Sequence, residues 1–118
     1  MKPRTRARSI ALQVLYEADT ACHPAGEVLS RHLAEVERTE AVRNYARELV
    51  NGVVSELNSL DRRISALAPE FPAEQLAAID RNILRIALYE MQRGEVPLNL
   101  VNPAVLEQPN CRLRPAAR

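Results

Sequence analysis

Apolar positions recur along this chain at intervals of three and four, and prolines and glycines interrupt the pattern at a few places. Ala7, Ile10, Ala11, Val14, Leu15 and Ala18 share one broad face of a helix predicted over residues 4–18. Lys2, Arg6, Ser9, Gln13 and Glu17 fall on the opposite face. The segment ACHPAG stops that helix with a Pro and a Gly. A short amphipathic helix follows over residues 27–35, with Val28, Leu29, Leu33 and Val36 inward. The polar connection EVERTEAVRN contains Thr39, a candidate cap for the next helix. Val42, Tyr45, Ala46, Leu49, Val50, Val53, Leu57 and Leu60 then keep a helical period, and Ile64, Leu67 and Ala68 prolong the stripe to Pro69. This predicts one long third helix.

The segment PEFP is a hard stop, because proline removes a donor and restricts the residue before it. From Ala73 the pattern QLAAIDRNILRIALYEM predicts a helix ended by Gly94 and Pro97. Its apolar arc takes in Leu76, Ile79, Ile83, Leu84, Ile86, Ala87, Leu88 and Met91, which predicts a central position in the fold. Pro97, Pro103, Pro109 and Pro115 then leave five residues between successive prolines, too few for more than about one and a half helical turns. A short helix capped by Asn102, with Pro103 at its first position, fits there. A mobile basic tail is expected beyond Pro109.

The fold class read from this pattern is all-α, and composition supports it. Three glycines and 3% aromatic residues suit neither a sandwich nor a barrel. At 118 residues the chain is one domain with one core. The expected organisation is a helical domain over residues 1–96, split at PEFP into 1–69 and 70–96, with a Pro- and Arg-rich tail over 97–118. The net charge of +1 means that any preference for nucleic acid must come from where the charge sits. Cys22 and Cys111 have no metal-ligand spacing and read as incidental thiols of a reduced, cytoplasmic chain, with a single bridge as the alternative. No apolar run is long enough for a membrane span, so no membrane partner is expected.

Candidate chemistry is sparse. There is no phosphate-binding glycine loop, no nucleophile elbow and no HExxH motif. His23 and His32 lie nine apart, with too few further ligands for a metal site. Neither an enzyme nor a cofactor is expected. Asp80 and Glu90 sit close to the apolar arc of the last helix. Each has two readings: an intramolecular partner such as an Arg from another helix, or an edge that faces a protein. Lys2, Arg4, Arg6 and Arg8 crowd the start of the first helix, where the helix dipole favours acids. Phosphate binding would account for that placement, because guanidinium forks pair with phosphate oxygens. Charge alone leaves a solvated basic terminus equally open.

The segments ARSIALQVLYEAD, LDRRI and IDRNILRIALYEM followed by EVP, in this order and spacing, resemble the NusB family of bacterial transcription antitermination factors. The resemblance covers roughly residues 1–102. It implies an all-helical fold of two small bundles set at an angle. It also implies binding of boxA-type single-stranded RNA jointly with NusE, a small-subunit ribosomal protein, within the transcription elongation complex. That role supports ribosomal RNA transcription and ribosome assembly. By position, the family's arginine-rich segment falls on Lys2, Arg4, Arg6 and Arg8, and the motif positions that follow it on Gln13 and Tyr16. Asp80 matches an acidic position on the edge where NusE docks, and Glu90 is the second candidate on that helix.

Family members continue from the VP into a helix beginning like INEAVELAK and then into one carrying FVNGVL. Here VNPAV echoes only the start of the first. The C-terminal bundle is therefore expected to be incomplete, with apolar surface uncovered around Ile83 and Leu88. Natural divergence, a degenerate copy and a reading-frame change near Leu100 each explain the tail, and translation of the other two frames tests the last. Two further functional readings come from other classes. One is the NusB-like RNA-binding domain attached to ribosomal RNA cytosine methyltransferases, which needs a downstream cofactor domain. The other is a helical interaction protein with weakened RNA binding.

Overall fold

The computed structural model describes residues 2–35 and 39–93. Helix α1 (Pro3–Ala21) packs against α2 (Ala25–Glu35), α3 (Glu40–Ser55) and α5 (Ala78–Gln92), while α4 (Leu57–Leu67) packs against α3 and α5. Each element follows from its local sequence. Pro3 opens α1, where a missing N–H costs nothing. The helix ends as Cys22 enters the left-handed region at φ 58°, with Pro24 close behind. Cys22 is disulfide-bonded, so it is not the incidental thiol expected from sequence. Thr39 caps α3 as predicted, its hydroxyl oxygen accepting from the Val42 N–H at 3.3 Å.

The core of the first four helices follows the prediction except at Leu67 and Ala68, which are exposed where the stripe runs out towards Pro69, and Val36 lies outside the described residues. Ala7, Ile10, Ala11, Val14, Leu15 and Ala18 of α1 are buried, and they meet Val28, Leu29 and Leu33 of α2 in one cluster with the inward residues of α3 and α4. The predicted long third helix is two helices. Glu56 breaks it, at φ −103° and ψ 18°, in the sparsely populated bridge region. Glu56 N–H still donates to the Gly52 carbonyl, and Leu60 N–H to the Glu56 carbonyl, so the bend sacrifices little hydrogen bonding. Past the exposed Phe71, Ala73–Gln75 form a single 3₁₀ turn. The last helix therefore begins five residues later than predicted.

Helix α5 differs most from expectation. Its buried face carries Arg81, Asn82, Arg85, Ile86, Leu88 and Tyr89. The apolar residues Ile79, Ile83, Leu84 and Met91 are exposed, Ile83 by 47% and Met91 by 73%. Ile83 is thus uncovered as expected, but Leu88 is buried. The arc read as central is divided: Ile86 and Leu88 reach the core, while Ile79, Ile83, Leu84, Ala87 and Met91 face outward because charges paired within the molecule take their place inside. The predicted short helix at Asn102 and the basic tail lie outside the described residues.

Candidate nucleic-acid interface

The buried charges of α5 form one network. Asp19 Oδ2, at the end of α1, accepts from Arg81 Nε and Asn82 Nδ2, each at 3.0 Å, and from Arg85 Nη1 at 3.4 Å. Arg85 also forks onto Asp61 of α4, Nε to Oδ1 at 2.7 Å and Nη2 to Oδ2 at 2.8 Å. Arg81 Nη1 donates to the carbonyls of Ala73 and Leu76, which ties down the 3₁₀ turn. A buried ion pair stabilises only when such further bonds compensate for lost hydration. This network joins three helices. It uses Asp19 of the opening segment, Asp61 of LDRRI and the arginines of IDRNILRIALYEM, so three separate sequence segments meet in it.

That docking positions the basic end of α1. No acid lies in the first turn of α1, and no side chain caps it. Lys2, Arg4, Arg6, Arg8, Gln13 and Tyr16 are all exposed, but they do not form one patch. At 3.6 residues per turn, Arg6, Gln13 and Tyr16 align on the face away from the core, while Arg4 and Arg8 fall on the side that meets α3 and α5, and Lys2 precedes the helix as its N-cap. Arg4 lies over the Tyr45 ring, 4.7 Å from its centroid. Arg8 Nε donates to both oxygens of Glu90, at 3.0 and 2.9 Å, and this pairing raises the Arg8 pKa further. On the outward face, Gln13 Nε2 donates to Ser9 Oγ at 3.4 Å.

Glu90 thus has an intramolecular partner, an Arg from another helix, and it also accepts from the Tyr45 hydroxyl. Burial, with Glu90 adding to it, holds the Tyr45 phenol above its usual pKa. Asp80 is different. It is exposed in the first turn of α5, where a negative charge suits the helix dipole, and it lies within the outward arc of Ile79, Ile83, Leu84, Ala87 and Met91. Sequence reasoning missed Arg93, which lies over the Tyr45 ring at 4.9 Å and pairs with Glu48. It placed Tyr45 only as a core residue. Periodicity offers no signal for either role, since both depend on contacts between helices.

His23 and His32 both face Glu17, at 3.1 and 3.7 Å, and Arg31 pairs with the same carboxylate. Among the described residues no cluster of three or more His, Cys, Asp or Glu is placed to hold a metal ion. No described helix is long and apolar enough to cross a membrane.

The family model for the NusB family matches residues 5–106. The chain belongs to the NusB family. It is 42% identical over 104 residues to the transcription antitermination protein NusB of Dehalococcoides mccartyi, covering 86% of this chain and 73% of that protein. The corresponding NusB of Anaeromyxobacter dehalogenans is 37% identical over 105 residues, with 88% and 74% covered. That of Roseiflexus castenholzii is 39% identical over 106 residues, with 86% and 75% covered. No solved structure matches the chain at a significant level. The NusB family comprises non-enzymatic factors of transcription antitermination.

Proposed function

We propose that this NusB-family chain acts in transcription antitermination in the cytoplasm by binding boxA-type single-stranded RNA jointly with NusE, as part of the transcription elongation complex. The observation that carries the reading is the basic end of α1. Lys2, Arg4, Arg6 and Arg8 are exposed around the start of a helix whose first turn contains no acid to offset them. Such a cluster costs local helix stability, and phosphate contact recovers it. Arg6 leads along the outward face to Gln13 and Tyr16, a path on which phosphates position the strand and a phenol ring supports an unpaired base. The arc around Asp80 supplies the protein-facing surface: four exposed large apolar side chains with one carboxylate among them suit NusE docking. Glu90, at the edge of that arc, would hold the RNA-facing Arg8 in register with the partner-facing helix.

The test is a salt titration of binding to boxA-type RNA, with and without NusE. Replacing Arg4, Arg6 and Arg8 together by Ala weakens binding. It also flattens the dependence of log K on log salt, by about 0.7 for each single-strand phosphate that the protein no longer neutralises. Unchanged affinity and slope in a folded triple variant refute the reading.

A further inference from the structure

A cavity of about 540 Å³ opens beside the start of α1, and Lys2, Arg4, Asn44, Tyr45, Glu48 and Arg93 line it. Its volume is that of a small-ligand site, for which about 300–1,000 Å³ is usual. Three cations and one carboxylate face it, and that carboxylate, Glu48, is already paired with Arg93. The field inside therefore favours an anion. The Tyr45 ring is fixed from several sides. Its hydroxyl is held by Glu90, which Arg8 holds in turn, and both Arg4 and Arg93 lie over the ring. The residue is only 8% exposed, so the guanidinium groups, rather than the phenol face, meet a ligand. A guanidinium plane is a surface on which an unpaired base stacks.

We propose that this cavity holds one unpaired nucleotide of the bound RNA, its base stacked on the Arg4 guanidinium that Tyr45 supports and its phosphate on Lys2. This rests on the RNA-binding function proposed above and gives one base of the strand a place. The subsite lies on the α3 and α5 side of the opening helix, away from the outward face of Arg6, Gln13 and Tyr16. Asn44 brings a side-chain amide to the base edge, and Arg93 closes the far wall.

The test uses the full chain, a boxA-type single-stranded RNA, and a set of the same RNAs in which each base in turn is removed to leave an abasic sugar. Arg4→Lys keeps the charge but loses the plane. It weakens binding of the intact RNA about tenfold with the salt slope unchanged. On one abasic RNA that difference disappears, because the stacked base is already absent. Arg62→Lys, on the exposed side of α4, binds as the unaltered chain does. If Arg4→Lys binds intact RNA as tightly as the unaltered chain, the subsite is overturned while RNA binding stands. A loss of equal size on every abasic RNA overturns the stacking. Failure of the unaltered chain to bind RNA at any salt concentration overturns both the subsite and the function on which it rests.

Discussion

Asp19 ties the end of α1 to α5 through buried charge. It is fully buried, and its Oδ2 alone satisfies donors from three residues of α5. Asp19→Ala leaves the buried Arg81 guanidinium without its counter-charge, while Arg85 keeps Asp61. Breaking a buried pair in this way costs about 3–5 kcal/mol. A urea titration should place the variant near the limit of folding, since domains of this kind hold roughly 5–15 kcal/mol in total. Glu17 governs a milder, pH-dependent contribution. Its hydrogen bond with His23, with help from Arg31, lowers its pKa below the usual 4.5. A carboxylate with a lowered folded-state pKa stabilises the fold above its unfolded pKa, and that contribution fades as pH falls through the folded value. Thermal melts from pH 6 to about pH 3 should show a shallower acid limb in Glu17→Gln than in the unaltered chain.

Between elements, the approach of α3 to α5 depends on a residue with no side chain. A Cβ added at Gly52 would overlap the Tyr89 ring and hydroxyl. Gly52→Ala must push the ring aside, and overpacking of this kind costs about 1–3 kcal/mol, readable as a lowered midpoint in chemical denaturation. Paring Tyr89 back to Leu in the same chain should return part of the loss. These elements differ in how far the sequence discloses them. Helices α1 to α3 are legible because, Asp19 apart, their main inward positions are apolar, so the helical period and the burial pattern coincide. The break at Glu56 is hidden because Leu57, Leu60 and Ile64 continue the apolar stripe through the bend. The outward turn of Ile79, Ile83, Leu84 and Met91 in α5 is hidden for a stronger reason. Arg81 and Arg85 read as surface residues, and only Asp19, more than sixty positions away, together with Asp61, makes their burial tolerable.

Across the whole molecule, the basic end of α1 and the outward arc of α5 are the two surfaces that the proposed function uses. They are separable by mutation. Asp80→Arg combined with Ile83→Ser should weaken assembly with NusE by about tenfold or more, as truncation at the centre of an interface does. RNA binding by the chain alone should stay within about twofold, which titration of each partner in turn would reveal. The basic residues of this site were legible as types, because four cations in eight positions are visible without a structure. Their division was not: only the packing of α1 on α3 and α5 turns Arg4 and Arg8 towards Tyr45 and Glu90 and leaves Arg6 facing water.

The span of the Asp19 network also bears on how the chain is made. Asp19 emerges early in synthesis, but Arg81 and Arg85 follow 62 and 66 residues later. Until then its carboxylate has no counter-ion in the core, and closing so long a loop is a slow step in forming a compact chain. Helix α1 can pack on α2 and α3 first, and its Asp19 end is locked only when α5 arrives. A pause in translation before residue 85 would hold the basic segment of α1 on an unfinished core, reachable by RNA but not yet placed to position it.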